Sequence, residues 1–144
     1  MCGAAIEEGD DGCQKLFEDV LALEYSNPVC GRTHLITVDC YALQHSEVRR
    51  AQSSAFHLLR LGWILMRDGN PQIGKTDLDF KRYVGDLRHF PHLEAPENRG
   101  SVTIVDLVLA KNAEEHGKTA LVWAKSVWNA WEIHHAWALK ILGV

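Results

Sequence analysis

HLITVDCYALQH, residues 34–45, is the stretch on which the fold turns. Thr33 before it suits a helix N-cap, and Ser46-Glu47 after it suits a tight connection. Apolar residues surround the intervening helix, which predicts a central position in a helical protein. The same helix nevertheless carries His34, Asp39 and His45, groups that are costly to bury without a donor, a counter-charge or a metal. His34 and His45 are eleven residues apart, so they share a face within ~20° but stand ~16 Å apart along the axis. They cannot bind one ion. Val38 and Tyr41 fill the face between them, and Asp39 projects beside Leu35 and Ala42.

Outward from this helix, periodicity near 3.6 dominates and no segment sustains strand alternation. A first helix is expected from about Gly12 to Tyr25, with Cys13, Leu16, Phe17, Val20, Leu21 and Glu24 on one face and Ser26-Asn27-Pro28 ending it. A third runs from about Val48 to Asp68. Thr76-x-x-Asp79 reads as a capping box opening a short helix to about Arg88, and Thr103-x-x-Asp106 as another opening a major helix to about Glu115. Lys118 to Leu142 reads as one continuous last helix. The expected class is all-α, a single-domain bundle of four to five helices over 1–144 with antiparallel neighbours. Residues 1–11 are expected to be poorly structured, and 69–102 to form an irregular connection holding the short helix.

Composition narrows the function. Apolar residues are 47% and charged residues 24% of 144, with net charge −4 and no basic block, which argues against nucleic acid. No apolar run approaches a membrane span, and the acidic start does not read as a signal peptide, so a cytoplasmic home is expected. Four cysteines in a reducing compartment are thiols or metal ligands rather than disulfides. Four of the five tryptophans lie between Trp123 and Trp137, which predicts core packing with a face for a homodimer. Cys30 and Cys40 read as inert thiols, and His89, His92 and His116 as surface residues.

Short connections place inward polar groups at matching levels. Folding back across residues 26–32 brings Glu24 level with His34, and folding back at Ser46-Glu47 brings His57 within a turn of it. His134 on the last helix would join them, with His135 on its flank as an alternative. Three imidazoles and a carboxylate form a recurring ligand set for zinc, manganese, iron or nickel. The expectation is therefore a divalent transition metal, zinc foremost, on His34, His57 and His134. Glu24 would be a ligand or the catalytic base toward a small-molecule substrate, and Asp39 would orient a ligating imidazole. The same register carries Cys13 and His45 together to the opposite end of the bundle, where Cys2 can reach them as a second, structural site.

Together the segments at 34–45, C-x-x-L-F-E-D-V-L-A-x-E-Y (13–25), F-H-L-L-R-L (56–61) and W-A-K-S-V-W-N-A-W-E-I-H-H (123–135) resemble an uncharacterised bacterial family catalogued as a domain of unknown function. The resemblance implies that His34, Asp39, His45, His57 and His134/His135 belong to that family's marker pattern, and it implies no activity. The family often opens with a C-x-x-C-G knuckle. Here Met1-Cys2-Gly3 keeps only its second half, as a truncated start would, and Ser46 stands where the family has proline. A looser similarity is to helical bundles of the DinB type, which hold a metal with three histidines and act as thiol transferases or hydrolases. Their histidine pair four apart on the last helix is absent, since Trp131 stands four before His135. Two functions are thus expected to compete: a metal-dependent hydrolase or transferase, and a non-enzymatic helical interaction module whose inward His, Asp and Glu form a hydrogen-bond network.

Overall fold

The structure is a computed structural model that describes residues 2–4, 6, 9–48, 52–66, 71, 73–85 and 89–144. It is all-helical, with no strand among the described residues: α1 (Asp10–Ser26), α2 (Pro28–Gly31), α3 (His34–Gln44), α4 (Ser53–Met66), α5 (Asp77–Val84), α6 (Ile104–Val108), α7 (Ala113–Ala130) and α8 (His135–Leu142). Short 3₁₀ turns at Ser46–Val48 and Glu132–His134 follow α3 and α7. Among the described residues no helix is long and apolar enough to cross a membrane.

α1 buries Cys13, Phe17, Val20 and Glu24, a spacing of three and four that makes one continuous stripe. It ends where Asn27 accepts hydrogen bonds from the Val29 and Cys30 amides at 3.0 and 3.3 Å and starts α2, with Pro28 as its first residue. Gly31 closes this corner. A Cβ there would stand 2.6 Å from the Glu24 carbonyl oxygen, so only glycine lets the chain turn this tightly against the end of α1. α3 then buries every residue from Ile36 to Gln44 except Val38 and packs against α4 and α7. α4 meets α7 closely at Gly62, where a Cβ would lie 2.8 Å from the Trp128 ring.

Several expected boundaries shift. The third helix begins at Ser53 rather than near Val48, because a 3₁₀ turn absorbs Ser46–Val48. The helix expected from Thr103 to Glu115 is two. Its capping box forms, with Thr103 accepting from the Val105 amide and Asp106 from the Thr103 amide, but α6 stops at Val108 and Asn112 caps α7 afresh by accepting from the Glu115 amide at 2.9 Å. The expected last helix also breaks, at Trp131. His135 stabilises the break. Its ring stacks on Trp128 at 3.9 Å, and Nε2–H donates to the Trp128 carbonyl at 2.7 Å, which offers a partner to a group at the helix end. The second capping box, at Thr76 and Asp79, opens α5 as expected; the end expected near Arg88 falls at Val84, and residues 86–88 lie outside the described residues.

The irregular segment after α5 is fastened by Gln44, which is fully buried. Its Nε2 donates to the carbonyls of Arg99 and Val102 at 3.1 and 2.7 Å, and its Oε1 accepts from Trp123 Nε1 at 3.0 Å. Arg99 returns a bond to the Gln44 carbonyl at 3.1 Å and pairs with Glu47. That hydrogen bond lowers the Glu47 carboxyl to about 2.

Candidate functional site

The three polar groups of α3 are satisfied in three separate places. At its middle, Asp39 is fully buried and faces α4. His57 Nδ1–H donates to it at 2.7 Å, Arg60 Nε reaches both carboxylate oxygens at 3.0 Å, and Arg60 Nη2 reaches one at 2.7 Å. Arg60 continues to Asp77 at 2.8 Å and lies over the Phe56 ring at 4.9 Å. Burial acts to lower the Arg60 value, but the Asp39 and Asp77 carboxylates outweigh it and hold the guanidinium firmly charged. The cation that Asp39 requires is thus an arginine, which the sequence reading missed although Arg60 lies inside the F-H-L-L-R-L segment.

At the start of α3 lies Glu24, whose side chain is fully shielded. One oxygen accepts from His34 Nδ1–H at 3.2 Å. The other accepts from His116 Nε2–H at 2.9 Å and Thr37 Oγ1–H at 2.6 Å, with Thr33 at 3.5 Å. Burial pushes its carboxyl up, but the bonds from His116, His34 and Thr37 outweigh it and hold the group below the usual carboxylate range. His116, expected on the surface, is 2% exposed. Because α7 starts at Ala113 rather than Lys118, His116 belongs to its first turn and points inward. Cys30 and Cys40 are raised by burial, helped by Glu24 and Asp39 respectively, and so remain protonated thiols.

At the end of α3 lies the one group of three metal-ligating side chains among the described residues, Cys2, Cys13 and His45, with their ligand atoms within 4.8 Å of one another. All three are buried, at 5%, 2% and 4% exposure. The two thiols form no disulfide, and their sulfurs are 3.7 Å apart. Two zinc–sulfur bonds of ~2.3 Å at a tetrahedral angle span ~3.8 Å, so the pair already has the spacing of two thiolates on one ion. His45 is oriented by the stack Phe17–Tyr41–His45, each step 4.0 Å. Its Nδ1–H donates to the Tyr41 carbonyl at 3.0 Å, which fixes the tautomer and leaves Nε2 with a lone pair. That buried Nε2 has no hydrogen-bond partner of good geometry, although the imidazole lies close enough to Cys2 to act on its thiol. Burial raises the Cys2 thiol, but His45, the Ala4 amide and Cys13 outweigh it and bring it to about 7.

The expected ligand set of His34, His57 and His134 is not assembled. His34 is held by Glu24, His57 by Asp39, and His134 donates to the Glu94 carbonyl at 2.8 Å. The later start of α4 sets His57 level with Asp39 rather than with His34, and the break at Trp131 turns His134 toward the irregular segment while His135 stays on Trp128. Glu24 accepts from His34, and Asp39 accepts from His57, with no metal ligand set formed by either pair among the described residues.

An all-helical protein with buried carboxylate–histidine networks and a Cys/Cys/His cluster is the class that fold and site define. The chain belongs to a family of unknown function (DUF5946), whose model matches residues 1–132. Comparison with curated proteins and with solved structures gives no match.

Proposed function

We propose that this protein binds one divalent transition ion, zinc foremost, through Cys2 Sγ, Cys13 Sγ and His45 Nε2. The observation that carries the reading is the His45 lone pair, buried, without a hydrogen-bond partner, and grouped with two thiols that form no disulfide. A buried acceptor left unmatched is costly, and an ion removes that cost. Two thiolates and one imidazole suit zinc by donor softness. The frame is an antiparallel pair, since Glu24 meets His34, Phe17 meets Tyr41, and Cys13 lies by His45 as α1 and α3 run past one another. The ion would join the N-terminal segment carrying Cys2 to both helices. Three protein donors leave one position for water or a small molecule, which is the donor count of a hydrolase or transferase rather than of a closed structural site. Four cysteines with no disulfide among them suit a cytoplasmic setting.

The test is elemental analysis of the full chain after zinc incubation and desalting, beside Cys13→Ser and His45→Ala, with cobalt substitution as a second probe. About one equivalent of metal, lost in both variants, with sulfur-to-cobalt charge-transfer bands in the wild type alone, is the expected result. Wild-type protein that holds no metal overturns the proposal, as does metal retained in both variants. The closed network around Asp39 favours the interaction-module reading for that residue alone.

A further inference from the structure

We infer that His34 is a general base, positioned by Glu24, for hydrolysis of small uncharged acyl esters. The site lies at the opposite end of α3 from the Cys/Cys/His cluster, ~16 Å away along the axis, and does not rest on the metal reading. Three observations carry it. First, the imidazole is half-exposed while its carboxylate partner is fully shielded. Second, Nδ1 is engaged by Glu24, so the neutral ring carries its proton there, and none of the hydrogen bonds among the described residues engages Nε2. Third, His34 lines an open cavity of about 600 Å³ with Leu21, Ala22, Glu24, Tyr25 and Gly31. Here His116, Thr37 and Thr33 already serve one Glu24 oxygen, and His34 alone takes the other.

The cavity wall defines the substrate class. Its lining is mostly apolar, has no cationic side chain, and includes one carboxylate held ionised by its donors. Phosphates and carboxylates are therefore disfavoured, and a neutral ester with a short apolar acyl group fits. Nε2 takes a proton from water while the water oxygen bonds to the acyl carbon. As the tetrahedral adduct collapses, the bond to the alcohol oxygen breaks and the imidazolium returns its proton to that oxygen, so ester plus water gives acid plus alcohol. Glu24 is a positioning residue: it fixes the ring, and its carboxylate faces the imidazolium formed during the step.

The experiment pairs a tautomer measurement with a rate. In ¹⁵N-labelled full-length protein, neutral His34 is expected with its proton on Nδ1, as the bond to Glu24 requires. Hydrolysis of p-nitrophenyl acetate and butyrate by the wild type is expected to exceed that by the same concentration of free imidazole. It is expected to fall about 100-fold in His34→Gln, the typical worth of a positioned base, with a change in kcat rather than KM. His34 is exposed, so this variant keeps the core intact. Glu24→Gln, if folded, is expected to move the His34 proton toward Nε2 and to lower kcat. A His34 proton on Nε2 in the wild type overturns the inference, and so does an unchanged rate in His34→Gln or a wild-type rate no higher than that of imidazole.

Discussion

Replacing Arg60 by methionine tests whether α3 is held by charge as well as by packing. Asp39 is fully shielded and the Arg60 side chain is 6% exposed, so neither group can recover its hydration when the other is lost. Methionine keeps most of the side-chain volume and the contact with Phe56, which isolates the electrostatic loss. Removing one member of a buried ion pair costs about 3–5 kcal/mol. His57 still donates to Asp39 at 2.7 Å and becomes its only partner among the bonds to that carboxylate, which places the expected loss near the lower end, about 3 kcal/mol. For a chain of this length that is a fall of roughly 6–12 °C in Tm. Urea unfolding followed by tryptophan fluorescence reads it, with m required to stay constant. The double variant Asp39→Leu with Arg60→Met removes both charges and is expected to be more stable than Arg60→Met alone, a coupling that a double-mutant cycle extracts. A single variant within about 0.5 kcal/mol of wild type, the usual range of an unimportant surface change, or strictly additive variants, would refute the reasoning.

Two further predictions concern the other networks. Gln44→Met leaves the Trp123 indole N–H and the Arg99 and Val102 carbonyls without that side chain; stability is expected to drop by about 2–4 kcal/mol, and limited proteolysis is expected to cut first between residues 94 and 102. Glu24 has a folded-state pKa below its unfolded value, so its stabilisation is fully present above about pH 4.3 and is lost as pH falls through the lower folded value. In urea midpoints taken from neutral pH downward, Glu24→Gln is expected to be less stable than wild type near neutrality, with the difference shrinking on the acid side; a difference independent of pH would refute it.

What the sequence made legible followed from spacing. The eleven-residue intervals Cys13 to Glu24 and His34 to His45 match, so a fold-back across Asn27 and Pro28 forces both ends to meet together, and the pairing of Glu24 with His34 was readable from that alone. Local capping chemistry was equally readable at Thr76 and Thr103. What escaped depended on tertiary contacts. Nothing local marks Trp131 as a helix end, since the segment Trp-Glu-Ile-His-His has neither Gly nor Pro; the break accompanies a carbonyl partner supplied by His135. His116 is hidden for a related reason: Asn112 caps α7 ahead of Lys118, so His116 lies in the first turn of that helix rather than in a connection. The three-residue turn after Gln44 was enough to move His57 from the His34 level to the Asp39 level. A shift of about one helical turn at His57, together with the break at Trp131, therefore scatters the expected histidine site, while the all-helical class stands.

The polar residues of α3 also explain how such a helix finds a unique setting. A helix buried nearly all round has no single apolar face, so hydrophobic burial leaves its rotation and axial position weakly determined. His34 fixes its start to α1 through Glu24, and His116 fastens α7 to the same carboxylate. Asp39 fixes its middle to α4 through a guanidinium whose planar fork admits one orientation. Gln44 fixes its end to α7 and to the irregular segment, beside the point where His45 stands with the two cysteines. A rotation of α3 by one residue, about 100°, would break all of these contacts together, whereas many apolar contacts could be exchanged for others. The groups that seemed misplaced in a buried helix are the ones that distinguish its native position from its neighbours. Beside them, at the C-cap of α3, the buried Nε2 of His45 is left without a hydrogen-bond partner within the fold.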